Sequence, residues 1–203
     1  MNDKSIDSET VMMTADEILQ ELMDGNQRYV EKHLTHMHQD TARIYEIAAG
    51  QHPIAIILGC SDSRVPPEII FDQGLGDLFV IRVAGNVVDD AVLGSIEYAI
   101  KEFGVVLVMV LGHERCGAVT AAAKHLAVSG HISMLIAAIE PALAQVQYSD
   151  PDSIDAAVIA NVKLAVEQIK ASEPVLSELV QQSQVKVVGA RYDLDDGLVK
   201  VID

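Results

Sequence analysis

Two apolar runs that end alike constrain this chain more than anything else in it. Ile54-Ala-Ile-Ile-Leu58 closes at Gly59-Cys60, and Asp62 and Arg64 follow at alternate positions. Val105 to Leu111 closes at Gly112-His113-Glu114-Arg115-Cys116. Apolar runs of this length, rich in β-branched residues, read as strands buried on both faces, which are usually parallel ones. Two buried strands therefore deliver two thiols, an imidazole, a carboxylate and a guanidinium to their C-terminal ends.

The remaining segments fill in an α/β pattern. Thr14-Ala-Asp-Glu17 is a capping box ahead of Ile18, Leu19, Leu22 and Met23, which predicts a helix from Thr14 to about His33. Residues 1–13 read as loose, 34–40 as a solvated linker carrying His36 and His38, and Thr41 to Gly50 as a short helix. After the first strand come a short helix over Glu68 to Gln73, a turn at Gly74–Asp77 and a strand from Leu78 to Ala84. A helix from Asp89 or Asp90 reaches Phe103, where Gly104 stops it. The strand Val105 to Leu111 leads to a helix from about Cys116 to Val128, and His131–Gln147, Ser153–Ala171 and Glu173–Gln182 read as three more. Val185 to Ala190 is a fourth strand, and Asp195-Asp196-Gly197 turns into a short last one, Leu198 to Ile202. Strands alternating with helices give a mainly parallel sheet, four parallel strands plus a short antiparallel edge, in a single domain over 1–203. Within it, 14–50 form a helical arm and 51–203 the core that carries both strand ends.

The chain has only two cysteines, Cys60 and Cys116. In a reducing compartment such a pair is more often metal-binding or catalytic than a disulfide. Zinc takes thiolate and imidazole ligands, four in all, and a catalytic site keeps one position for water. Cys60, His113 and Cys116 supply three. Either cysteine alone reads as well as a small buried hydrophobe. That account weakens when both strand ends carry ligand-type residues, one of them with a charged Asp62/Arg64 pair that must be paired or used. A dinucleotide fingerprint at Gly74 and Gly76 fails, because Phe79 holds the third glycine's place and the order of elements is reversed.

A net charge of −16 argues against a nucleic-acid partner, which would need a basic surface. No apolar run approaches a membrane span, and the acidic N-terminus has no apolar signal core, so the expected location is cytoplasmic.

Cys60-Ser-Asp62-Ser-Arg64 followed by His113-x-x-Cys116 resembles the β-class carbonic anhydrases. The likeness runs on through Gly76–Arg82, Ala84-Gly85-Asn86, Ser95–Ala99, Asn161-Val162 and Gly189–Asp193, and departs at Val83, where the family often has Asn. The resemblance implies reversible hydration of CO₂ to bicarbonate and a proton by zinc-bound hydroxide. It implies zinc on Cys60, His113 and Cys116, with Asp62 and Arg64 as a catalytic dyad. It also implies Gln51, Phe79, Ala84 and Tyr98 as substrate-pocket residues, some offered across a dimer interface. The expected assembly is a homodimer or dimer of dimers, with the N-terminal helices packing on a partner subunit. Two competing functions share these residues: a zinc hydrolase acting on carbon disulfide or carbonyl sulfide, and a structural-zinc or redox binding module with a fourth protein ligand, for which Asp62 is the local candidate.

Overall fold

The computed structural model describes residues 13–144, 146 and 152–202. The expectation of a loose segment over 1–13 falls, but for Met13, outside them, as does the tail of the expected helix His131–Gln147. Five strands form one sheet in the order β2-β1-β3-β4-β5: β1 (Ala55–Gly59), β2 (Leu78–Arg82), β3 (Leu107–His113), β4 (Lys186–Tyr192) and β5 (Val199–Ile202). The first four are mutually parallel, and β5 runs antiparallel to β4, as the sequence predicts. The chain leaves β1 for β2 on one side and then reaches β3 on the other. The crevice beyond the C-terminal ends of β1 and β3 is thus a topological switch point, where open α/β sheets bind ligands.

Because strand residues alternate between faces, the two faces of β1 and β3 feed two cores. Ile57, Met109 and Leu111 pack with helices α1 (Ala15–Val30), α3 (Pro67–Ile70), α5 (Gly117–Ala123) and α6 (Ile132–Leu143). Ile56, Leu58, Val108 and Val110 pack with α4 (Asp90–Phe103), α7 (Asp152–Ala171) and α8 (Val175–Gln181). Helix α7 lies hard against the sheet: a Cβ on Gly112 would stand 2.4 Å from Val162 Cγ2, and one on Gly189 2.8 Å from Val162 Cγ1. Only glycine permits that approach.

Several boundaries differ from expectation. The strand expected over Val105–Leu111 is Leu107–His113, because β4 continues alongside it and pairs Tyr192 with His113. His113 is therefore the last residue of a strand, not part of a loop. The helix expected to reach Val128 stops at Ala123, where His125 takes a left-handed conformation.

Helix α1, expected to pack on a partner subunit, also docks on its own core. Its capping box forms, and its apolar stripe lies on its own chain: Ile18 and Leu22 are buried in the core with Phe71 and Ile70. Asn26, buried in α1, donates to the carbonyls of Ile70 and Gly197 at 3.2 and 2.9 Å and accepts from Val199 N at 2.8 Å. A buried amide placed without partners would cost about 1–3 kcal/mol, so these bonds fix the docking site. Helix α2 (Thr41–Ile47) differs, with no buried residue and with Ile44 and Tyr45 exposed.

The segment 34–40 is largely exposed, as expected of a solvated linker, and is tied down at two points. Thr35 and His36 donate backbone N–H groups to Asp72, and His38 Nδ1 lies 2.7 Å from Asp77 Oδ2. Among the described residues no helix is long and apolar enough to cross a membrane.

Candidate metal centre

Strand register brings the site together. Gly59 is level with Leu111 of β3, so Cys60 emerges beside the end of that strand, close to His113. Cys116 is the N-cap of α5. The turn between His113 and Cys116 needs Arg115 at φ 52, a left-handed conformation that costs a non-glycine residue about 1 kcal/mol. Two anchors hold that turn. Arg115 grips Asp195 through two bonds of 3.1 and 2.6 Å, and Glu114 accepts from Leu194 N while lying 3.3 Å from Arg115.

The ligand atoms of Cys60, His113 and Cys116 all lie within 4.8 Å of one another, and all three residues are buried. The two sulfurs stand 4.0 Å apart. Two sulfurs bonded to one tetrahedral zinc at about 2.3 Å would stand roughly 3.8 Å apart, so the pair is spaced to share an ion. His113 Nδ1 lies 2.8 Å from the Glu114 carbonyl and donates to it, which leaves Nε2 as the lone-pair nitrogen. That Nε2 is buried with no hydrogen-bond partner. A buried imidazole nitrogen left bare is costly unless something binds it, and its neighbours are two thiols. The donor set fits zinc.

The two thiols differ in acidity. Cys116, working against burial, draws the Cys60 thiol below its usual range, helped by His113 and by the N–H groups of Gly85 and Asp62. Cys116 is pushed up in turn by Cys60 and by burial.

Arg64 reaches back to Asp62 with Nε–Oδ1 at 2.9 Å and Nη2–Oδ2 at 2.7 Å, and its backbone N–H donates to Oδ1 at 2.9 Å. This planar fork holds the Asp62 carboxyl well below the usual carboxylate range, against the opposing effect of partial burial. Asp62 Oδ2 stands 3.9 Å from His113 Nε2, so the ionised carboxylate flanks the cluster without closing on it.

The other predicted site residues are spread out. Ala84 opens the 3-10 turn Ala84–Asn86, next to Gly85. Phe79 pairs with Ile56, four residues before Cys60, or about 13 Å along the strand. It joins Tyr98 and Phe103 in an aromatic cluster with centroids 5.6 to 6.4 Å apart, and Tyr98 is half exposed. Gln51 precedes β1, at the end of the sheet away from Cys60. One chain therefore does not gather Gln51, Phe79 and Tyr98 around its own cluster.

Three supporting residues carry no sequence-derived role. Arg82 Nε donates to the Cys60 carbonyl at 2.9 Å, Gly85 N donates to Cys60 Sγ at 3.3 Å, and Asn161 Nδ2 donates to the Gly85 carbonyl at 2.8 Å. Each was visible only as a letter in a motif, or as a polar residue in an apolar stripe.

A family model described as carbonic anhydrase matches residues 55–199. Carbonic anhydrase 2 of Mycobacterium tuberculosis is 41% identical over 180 residues, 87% of each chain. Carbonic anhydrase of Mycolicibacterium smegmatis is 38% identical over 184 residues, 89% of each. Among solved structures, the β-carbonic anhydrase CafA of Aspergillus fumigatus superposes with a TM-score of 0.73 at 27% identity, covering 91% of this chain and 90% of that one. The Coccomyxa β-carbonic anhydrase in complex with acetazolamide gives 0.72 at 27% identity, covering 91% and 86%. The chain belongs to the β-class carbonic anhydrases, a family of lyases.

Proposed function

We propose that this protein hydrates carbon dioxide reversibly to bicarbonate and a proton, with zinc held by Cys60, His113 and Cys116 and with Asp62 and Arg64 as the dyad beside it. The observation that carries the reading is the bare, buried Nε2 of His113 facing two sulfurs 4.0 Å apart, with an arginine-held carboxylate 3.9 Å away. Zinc, when bound, would supply the Lewis acidity that makes water far more acidic than in bulk, although two thiolates offset part of its charge. Asp62, kept ionised by Arg64, can only accept hydrogen bonds. It takes the proton side of the nucleophile and so turns a lone pair toward the CO₂ carbon. Arg64 occupies both carboxylate oxygens and keeps them off the cluster.

Ala84 is the pocket wall contributed by this chain, and Gln51, Phe79 and Tyr98 serve the pocket of a second copy in a homodimer. Residues 51–203 act as the catalytic core of a single domain. Two free, buried thiols suit a reducing, cytoplasmic setting.

The test combines elemental analysis with stopped-flow CO₂ hydration on wild type, Cys60→Ser, His113→Ala and Cys116→Ser. One zinc per chain is expected in wild type, lost or sharply weakened in each variant, with hydration lost alongside. Full zinc retention in all three eliminates the site. A zinc-loaded wild type that ignores CO₂ but consumes carbon disulfide or carbonyl sulfide would change the substrate and leave the site standing.

A further inference from the structure

Helix α7 buries a continuous apolar face: Ala157, Val158, Val162, Ala165, Val166 and Ile169 are each at most 7% exposed. Asn161 interrupts it at 2% exposed. A primary amide in that position costs free energy unless it is hydrogen-bonded, whereas an apolar residue would pack there freely. The amide spends its donor 76 residues away, on the Gly85 carbonyl at 2.8 Å. Only the nitrogen end of an amide can face a carbonyl oxygen, so the orientation follows from the partner.

Gly85 stands at φ 71, and a Cβ on it would meet Ile139 Cδ1 at 2.9 Å. Its N–H donates to Cys60 Sγ at 3.3 Å. The sulfur and Asn161 thus fasten successive peptide planes joined by the least restricted residue type. Remove one fastening and the other is free to drift. The close approach of Val162 to Gly112 brings α7 near enough to the end of β3 for Asn161 to reach this turn.

We infer that Asn161 is a positioning residue for the metal centre: it holds the Gly85 carbonyl so that the Gly85 N–H stays aimed at the Cys60 sulfur. The inference rests on the reading of Cys60 as a zinc ligand. Partners one step out from a ligand, as the Gly85 N–H is, alter metal affinity by about 10–100-fold, and Asn161, which acts through Gly85, is expected at the lower end of that range.

The experiment compares wild type with Asn161→Leu, which removes the donor at similar volume, and Asn161→Ser, which keeps a shorter donor. Zinc affinity is read by chelator competition and the thiolate environment by the charge-transfer band of the cobalt(II) form. Asn161→Leu is expected to bind zinc about 10-fold or more weakly. Its cobalt band should move to lower energy, because a thiolate that loses a hydrogen bond gives up its electrons more readily. Asn161→Ser should fall between. A merely structural role would lower the melting temperature and leave the band of the folded protein unmoved. Wild-type affinity and an unmoved band in folded Asn161→Leu overturn the inference. If Asn161→Leu and Asn161→Ser do not fold, ¹¹³Cd-loaded wild type serves. The Gly85 amide proton should then couple to the metal through the hydrogen bond, and the Asn161 side-chain amide should exchange slowly. Absence of either is equally fatal. Failure of the zinc reading itself looks different: wild type takes up no metal, or Cys60→Ser binds it as well as wild type does.

Discussion

In the proposed site, Asp62 and Arg64 are the pair on which chemistry and coordination meet. A carboxylate two residues past Cys60 is itself a competent zinc ligand, and what keeps it aside is the fork of Arg64, at 2.7 and 2.9 Å. Arg64→Ala should therefore keep its zinc and lose most activity, with Asp62 closing the coordination shell in a crystal structure of the variant. Water remaining in that position, with Asp62 turned away, would sink the idea. Asp62→Asn should fall by on the order of 10²-fold or more for another reason, since an amide cannot accept the nucleophile's proton in the same way. These five residues, Cys60, Asp62, Arg64, His113 and Cys116, were legible in the sequence because each lies within five residues of a buried strand's end. Asn161 and Gly85 were not, because their bond joins α7 to a turn 76 residues earlier and leaves no local pattern.

At the scale of elements, strand direction was readable, while the stop of α5 was missed for an identifiable physical reason. Helices α1, α3, α5 and α8 close with a left-handed residue that is not glycine: Lys32, Asp72, His125 and Ser183, at φ 61, 49, 49 and 57. In each the next N–H reaches five residues back: His33 to Arg28, Gln73 to Glu68, Leu126 to Ala121 and Gln184 to Leu179, at 2.8 to 3.0 Å. That is the closure glycine normally supplies. A reading that looks for glycine misses this signal, and the expected helix to Val128 ran past His125 for that reason. The backbone cost of holding an L-residue there is roughly 1 kcal/mol, and glycine recovers much of it. Ser183→Gly and His125→Gly should each raise stability by about 0.5–1 kcal/mol in urea unfolding, additively because they lie on separate helices. A loss of stability in both would mean that side-chain contacts, not backbone conformation, set these ends.

For the molecule as a whole, the decisive features are an uncovered apolar surface and a net charge of −16. Met37, Ile44, Tyr45, Ile69 and Leu75 are between 45% and 77% exposed. They flank one region, because Leu75 N bonds to the His38 carbonyl, Arg43 bonds to the Leu75 carbonyl, and Ile69 and Leu75 line a shared cleft with Gln39. Large apolar side chains gathered around one turn mark an interaction surface. The occupant expected there is a second copy, since Gln51, Phe79 and Tyr98 stand away from their own chain's cluster. Two chains of this charge repel, and salt screens that repulsion over about 10 Å at 0.1 M. An apolar contact between like-charged copies must then tighten as salt rises, whereas an interface held by ion pairs would loosen. The expected outcome is a dimer at micromolar concentration by light scattering, with a dissociation constant that falls between about 0.02 and 0.5 M sodium chloride. Tyr45→Asp with Ile44→Asp should give a monomer that keeps its zinc and loses CO₂ hydration, because its pocket lacks the partner's walls. A wild-type monomer, or a dimer that weakens with salt, would reject this assembly, and a fully active monomeric variant would return Gln51, Phe79 and Tyr98 to ordinary packing.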